Sequence, residues 1–330
     1  MRSTPNCWLV LCVLLAACER GAPHSQASAA SVKRPLTIGY SALRISLPLF
    51  VAERQGLFKA NGLDVRLNRY DTAQPLVDAV LDGQLDAGGY AALPIVFTAA
   101  ARDGAHFGVV SALIEDADHP ISYLLKKRGD ESLRQVSDLR GKRVGVLPTL
   151  AYQRWLPAIA QHAGLAPGDL HVVPLAPPQQ VTGLAEGVVD ALFTNDPMAT
   201  SALASGVAER FGPQAPLVDA TAEPVWFGSF LVNAAFARTH ADELARLVKA
   251  LDQAIDSVMR DQAAAKALAK SYMRDSEQPY VDRYPPAHYR KSTALSAELL
   301  QAELAREVRF GILDKLPPRE QWQQIAAEGP

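Results

Sequence analysis

The reactive side chains of this chain are poorly placed to make or break a bond. All three cysteines, Cys7, Cys12 and Cys18, fall within the first 18 residues, so the body of the protein lacks a thiol for a disulfide, a nucleophile or a thiolate metal site. The seven histidines stand at 24, 106, 119, 162, 171, 240 and 288 and include no short metal-ligand pair. His106 and His171 lie in strand-like stretches and read as core or edge residues. A Gly-x-Ser-x-Gly elbow and a Gly-rich phosphate loop followed by Lys are both absent from the sequence. The chemistry on offer is a noncovalent grip. Tyr40, Ser41 and Arg44 follow a short apolar run, Tyr90 follows Gly88-Gly89, Thr149 and Tyr152 open an apolar helix, and Asn195-Asp196 precede Pro197. Trp226-Phe227 open a further strand-like run.

These candidates have plain alternatives: Thr149 and Tyr152 are ligand contacts, or serve only helix capping and packing. Arg44 presents a planar fork suited to an anionic ligand, or is a solvated loop charge. Tyr90 faces a cleft floor or packs in a core. Asp196 accepts N–H donors or positive charge from a ligand, caps the helix beginning at Pro197, or does both. Trp226 or Phe227 stacks on a flat or apolar solute, or packs internally.

The elements that must position these residues are marked by a repeated phrase. Leu81-Asp82-Gly83-Gln84-Leu85-Asp86-Ala87 has a counterpart in Ala185-Glu186-Gly187-Val188-Val189-Asp190-Ala191. In each, an apolar helix ends on Gly, a short strand follows, and the strand stops at a turn that opens a new helix. Strands at 36–40, 65–67, 85–87, 106–110, 144–147, 171–175 and 190–193 alternate with helices, which argues for α/β lobes with mostly parallel sheets. Ile121–Lys126 reads as a crossover strand into the second lobe and Trp226–Val232 as the return. Apolar residues at helical spacing over 240–270 and 296–310 predict C-terminal helices that pack back on the first lobe.

Arg2 followed by the apolar run Trp8–Ala17 reads as an export signal too short to span a bilayer as a helix. Residues 19–34, rich in Ala, Ser, Gly and Pro, read as a flexible tether. The remainder is long enough for two lobes with real cores. Setting Arg2 aside leaves 32 basic against 35 acidic side chains, without the basic patch that nucleic acid requires, so no nucleic-acid partner is expected.

Leu15-Ala16-Ala17-Cys18 resembles the lipobox of bacterial lipoproteins, which implies lipidation of Cys18; the alternative is an ordinary small-residue cleavage site beside an incidental Cys. Further phrases fall in the order and spacing of the nitrate/sulfonate/taurine type of periplasmic substrate-binding protein. They are Ile38-Gly39-Tyr40, the run from Leu49 to Phe58 with Asn61-Gly62-Leu63-Asp64-Val65, both copies of the repeated phrase, Asp138-Leu139-Arg140-Gly141-Lys142-Arg143-Val144, and Asp196-Pro197. The chain resembles that family from about Leu36 to its C-terminal helices.

The resemblance implies a two-lobed, type II periplasmic-binding-protein-like α/β fold. Its expected divisions are a signal peptide at 1–18, a tether at 19–34, lobe 1 at 35–120 and 227–330, and lobe 2 at 121–226. It also implies a monomer, lipid-anchored on the periplasmic side of a bacterial membrane, that captures a small organic solute and serves an ABC permease and its ATPase, with no cofactor, no metal and no catalysis. The expected contacts are Tyr40, Ser41, Arg44, Tyr90, Thr149, Tyr152, Asn195, Asp196 and Trp226. Thr149 stands where family members carry a Gly-Ser-Thr-like anion loop, but Leu147-Pro148-Thr149 lacks the Gly and Ser, and Pro has no N–H to donate. The aromatic residues and weakened loop favour an organic anion or a flat heterocycle such as a pyrimidine. Two alternatives stand beside transport: a sensor subunit of a signalling system, and an enzyme like the relative of this fold that makes the thiamin pyrimidine. That enzyme would be cytosolic and would need gathered His or Cys side chains.

Overall fold

Side chains alternate across the first strand, β1 (Leu36–Ser41), because a strand sends successive Cβ atoms to opposite faces. The computed structural model describes residues 34–103 and 106–324. The signal segment, Cys18 and nearly all of the tether lie outside them, as does 325–330. Among the described residues no helix is long and apolar enough to cross a membrane.

After β1 come α1 (Leu47–Arg54), which carries Pro48 in its first turn, and α2 (Leu57–Ala60), entered through Gly56. β2 (Val65–Tyr70), α3 (Ala73–Leu81), β3 (Ala87–Ala92), α4 (Leu93–Asp103) and β4 (Phe107–Glu115) follow in α/β alternation. The chain then continues through β5 (Tyr123–Lys127), β6 (Arg143–Val146), α5 (Leu150–His162), β7 (His171–Pro174), α6 (Pro177–Ala185), β8 (Ala191–Thr194), α7 (Met198–Ala204), β9 (Ala208–Arg210) and α8 (Pro216–Thr221). It returns along β10 (Val225–Asn233) and ends in α9 (Ala234–Thr239), α10 (Ala241–Arg260), α11 (Gln262–Ala269), β11 (His288–Arg290), α12 (Ala297–Arg309) and β12 (Trp322–Gln324).

These strands form two sheets. The first has the order β11-β4-β10-β3-β1-β2, with β12 also paired to β4, and the second runs β7-β6-β8-β5-β9. Parallel pairs form the heart of each, β2-β1-β3 in the first and β7-β6-β8 in the second. The strands next to the crossovers run antiparallel: β10 against β3 and β4, and β5 against β8 and β9. The sheets are therefore mixed where the sequence suggested mostly parallel ones, because β10 re-enters the first sheet between two strands already laid down in the opposite sense. Residues 116–122 and 222–224 connect the two sheets. β10 begins in the first sheet at Val225, where it pairs with Glu115, so Trp226 belongs to that sheet.

The repeated phrase performs the same task twice. Gly83 and Gly187 end α3 and α6 with φ of 73° and 75°, a left-handed conformation that suits Gly. A few residues on, the Asp86 carboxylate accepts the Thr37 N–H and hydroxyl at 2.8 Å each, and Asp190 accepts the Arg143 N–H at 2.8 Å. Each Asp thereby fastens the start of the neighbouring parallel strand. The Arg143 hydrogen bonds outweigh partial burial and hold Asp190 below the ordinary carboxylate range. A depressed carboxyl stabilises the fold above its unfolded-state value, and that contribution disappears as pH falls through the folded value. Both partners are partly exposed, so Asp190→Ala is expected to cost about 1 kcal/mol in urea unfolding at neutral pH, with the difference from the parent vanishing in acid.

The main core runs beneath the first sheet and continues, through Tyr152, Trp155 and Leu156 of α5, into the second sheet. A smaller core of Tyr123, Leu125, Leu184, Val189, Leu192, Ala199, Ala202 and Ala208 packs the far side of that sheet.

Candidate functional site

Strand tips and helix starts from both sheets converge on one cavity. The first sheet's side supplies Leu43 and Ile45 after β1, Thr72 and Ala73 at the start of α3, and Ala92 and Ile95 where β3 passes into α4. The second supplies Leu147 and Thr149 after β6, Tyr152 in α5, Pro177 at the start of α6 and Asn195 after β8; Phe227 of β10 completes the lining. The cavity measures about 30 Å³, room for about two water molecules. Among the described residues Asp71 is its one charged lining residue, with no lining Lys or Arg.

Its walls are largely apolar, yet it holds polar atoms without well-formed hydrogen bonds. Among the described residues, Thr149 Oγ1 is buried without a hydrogen bond, and Tyr152 OH and Asn195 Oδ1 face each other without forming a well-aligned one. Outside the lining, Ser41 Oγ at the end of β1 is buried and unpaired too. Leaving a buried polar group unpaired costs about 1–3 kcal/mol, so several around one cavity mark a place that a partner fills. Thr149 is the N-cap residue of α5 but makes no side-chain capping bond, and the same holds for Thr72 at α3. Neither helix has an acidic residue in its first turn. First-turn N–H groups lack intrahelical partners and carry partial positive charge, so both helix starts favour acceptor oxygens. Burial, aided by the negative charges of Glu115 and Asp196, raises the Tyr152 phenol well above its ordinary range against the opposing pull of Asn195. At neutral pH it therefore keeps its proton and acts as a donor. Its ring is held between Trp155, Phe193 and Phe227 at centroid distances of 5.4, 5.0 and 6.4 Å.

Of the residues singled out in the sequence, Thr149, Tyr152 and Asn195 line this cavity. Arg44 does not reach into it. Its guanidinium donates through Nη1 to the carbonyls of Pro285 (2.8 Å) and Pro286 (3.2 Å) and through Nη2 to Pro120 (3.1 Å), while Nε lies 3.3 Å from Asp196 Oδ2. Asp196 in turn accepts the Thr200 N–H and hydroxyl through Oδ1, which caps α7. The two charges neutralise one another across the two sheets, both side chains essentially inaccessible to solvent. The anion-pairing reading of Arg44 and the cation-attracting reading of Asp196 both give way to this latch.

Tyr90 lies inside β3, which runs through Gly88-Gly89 to Ala92 where the sequence suggested that it stops. Its hydroxyl hydrogen-bonds Ser111 Oγ at 2.7 Å, and its ring packs on Tyr289 and Phe230, away from the cavity. Tyr40 points to the other face of β1 from Ser41 and packs edge-on against Phe50 and Tyr272. Trp226 donates its indole N–H to Ser229 Oγ, and the alternation of β10 leaves Phe227 as the ring at the cavity.

Glu115, at the end of β4, escaped notice in the sequence. It is fully buried and accepts the N–H groups of Ile121 and Ser122 and the Ser122 hydroxyl, which pins the first crossover. Burial pushes its carboxyl up to about 7, against the lowering effect of those donors and of Arg44. A second feature hidden by sequence distance is the meeting of His119 and His288 on Asp116.

Comparison with known proteins extends these observations. A family model described as NMT1/THI5 like matches residues 45–265. A search of curated proteins finds no match. Among solved structures, the chain is similar to the alkanesulfonate-binding protein SsuA from Xanthomonas axonopodis pv. citri bound to MOPS, at 23% identity and a TM-score of 0.68, covering 88% of this chain and 98% of that one. It is also similar to the periplasmic aliphatic sulphonate binding protein SsuA from Escherichia coli, at 19% identity and a TM-score of 0.70, covering 90% of this chain and 94% of that one. The periplasmic nitrate-binding protein NrtA from Synechocystis PCC 6803 shares 14% identity with a TM-score of 0.62, covering 84% of this chain and 82% of that one. At these identities the structural likeness establishes the fold.

Proposed function

The chain belongs to the NMT1/THI5-like family, and from that premise we propose that it is the solute-binding component of an ABC importer. It captures a small amphipathic organic solute between its two sheets and presents it to a membrane permease on the periplasmic side. The lipid anchor at Cys18, the divisions into lobes and the monomeric state belong to the same proposal, as does the binding rather than catalytic role. The observation that carries it is the set of buried polar atoms of Thr149, Tyr152 and Asn195, none in a well-formed hydrogen bond, in one largely apolar cavity between strand tips.

These groups fit a solute with acceptor oxygens at one end and an apolar body at the other. The head group takes hydrogen bonds donated by the Thr149 and Tyr152 hydroxyls, with the helix starts supplying further N–H donors, while Asn195 Oδ1, an acceptor, suits an N–H or O–H of the solute. The body lies on Leu43, Ile45, Ile95, Leu147 and Phe227. An organic oxyanion such as a sulfonate, sulfinate or carboxylate satisfies both ends. The SsuA proteins bind sulfonates, which supports this choice over nitrate, an ion with no apolar body. With no Lys or Arg among the described lining residues, recognition rests on hydrogen bonds and helix ends. The cavity's small volume implies that a solute enters by parting the lobes at residues 116–122 and 222–224 and is buried by their closure.

Calorimetric titration with alkanesulfonates, aryl sulfinates, carboxylates and pyrimidines tests the reading. Thr149→Val and Tyr152→Phe are expected to weaken the best ligand by about 10–100-fold each while leaving thermal unfolding cooperative. Unchanged affinity in both variants would place the binding site elsewhere.

A further inference from the structure

We propose that Asp116, His119 and His288 form a binding site for a divalent transition-metal ion of the zinc class on the outer side of the first crossover. The two segments that build it are far apart in sequence, Asp116 and His288 being separated by 172 positions. They are brought together because β11 pairs antiparallel with β4, His288 opposite Ile114, so that the start of β11 lies beside the chain leaving β4. One ligand atom from each of the three side chains lies within 4.8 Å of the other two. His119 Nδ1 is 2.8 Å from Asp116 Oδ1, and His288 Nδ1 is 2.7 Å from Asp116 Oδ2. The two imidazole rings stand 5.2 Å apart between centroids at an interplanar angle of 55°.

Several features distinguish this cluster from a chance surface grouping. The carboxylate is held by its own turn, Oδ1 accepting the N–H groups of Asp118 at 3.0 Å and His119 at 2.9 Å. His288 is fixed by strand pairing, so ligands from both segments are preorganised before an ion arrives. All three side chains are partly exposed, 19% for Asp116, 29% for His119 and 31% for His288, which leaves a route for the ion and an outer face for water.

Donor chemistry selects the ion. Two imidazole nitrogens and one carboxylate oxygen suit zinc, cobalt, nickel or ferrous iron, whereas calcium and magnesium call for oxygen ligands throughout. Metal–ligand distances of about 2.0–2.2 Å require the three donors to spread slightly from their present hydrogen-bonded spacing and leave a further position open to solvent or an exogenous ligand. Bound there, the ion would join the first crossover to β11 and so brace one of the two connections between the sheets. This inference does not depend on the solute proposed above.

The test uses the full chain, purified in mild detergent without a polyhistidine tag, stripped with chelator, and titrated with zinc by calorimetry and with cobalt by visible absorption. The expected result is one ion per chain, with a cobalt spectrum characteristic of nitrogen–oxygen coordination. Affinity should fall at least about 100-fold in Asp116→Asn and in the double variant His119→Gln/His288→Gln. The circular dichroism of each apo variant, measured alongside, separates loss of the site from loss of fold; if one variant is unfolded, the comparison rests on the other. Absence of binding by either metal, or equal binding by the parent and a folded variant, overturns the proposal.

Discussion

Arg44→Met is expected to lower the unfolding free energy by about 3–5 kcal/mol, the cost of stranding a buried charge whose partner has been removed. The substitution keeps most of the side chain's bulk but leaves Asp196 without its counter-charge and deprives the Pro285 and Pro286 carbonyls of their Arg44 donors. Pro120 O retains the Tyr123 hydroxyl, so the loss there is partial. Asp196→Asn should cost less, because Arg44 keeps its carbonyl acceptors and the Asn amide oxygen still accepts from Thr200. Urea unfolding of the two single variants and the double variant forms a cycle, and a coupling energy above about 1 kcal/mol is expected for residues in direct contact. A loss below that figure in Arg44→Met alone would show that the latch contributes little.

Stability should also fall as pH rises through neutrality, the opposite of the trend produced by salt-bridged carboxylates. Burial lifts Glu115 to about 7. Burial, reinforced by the neighbouring charge of Glu303 and opposed by Arg306 and Trp155, lifts Glu307 to about 8. Unfolded, each carboxyl titrates near 4.5. Between those values the folded state binds protons that the unfolded chain has released, so stability is full below the unfolded value and declines as pH climbs through the folded ones. Glu115 alone gives a decline on the order of 3 kcal/mol, a large share of the 5–15 kcal/mol typical of a folded protein. Asp116 and Asp190 carry depressed values and act only in acid, outside this window. The urea midpoint is accordingly expected to drop between about pH 5 and about pH 9. Glu115→Gln, which keeps an acceptor for Ile121 and Ser122, should remove the Glu115 share of that slope and leave the larger Glu307 share. A midpoint that rises over the same range would reject the protonated-carboxyl description of both sites.

Much of the fold could be read from local pattern. Gly83 and Gly187 ended helices where the repeated phrase placed them, and the alternation around Val65 and Leu67 marked a strand that is present. Thr149, Tyr152 and Asn195 were legible because each follows closely on a strand tip of the second sheet, where a side chain has few places to go but the gap. The apolar part of the lining was not, since Ile45, Ile95 and Leu147 look the same in a sequence whether they meet a core or a ligand. Tyr90 was misplaced because two consecutive glycines normally punctuate a strand, whereas here β3 runs through them: a Cβ at Gly89 would lie 2.9 Å from the Phe230 backbone, so the close approach of β10 needs the Gly. Arg44 with Asp196, and His119 with His288, are long-range pairs created by strand order, and no spacing rule reports on them.

Strand order also dictates when each half can be finished. All strands of the second sheet come from one unbroken stretch, Tyr123 to Arg210, whereas β4 in the first sheet must await partners that begin at Val225, His288 and Trp322. As the chain emerges N-terminus first, the middle of the protein can complete its sheet while β3 has only β1 beside it and β4 still lacks every partner. Truncation from the C-terminal end should therefore spare the middle and expose the apolar β4, making the early-made half the aggregation-prone one.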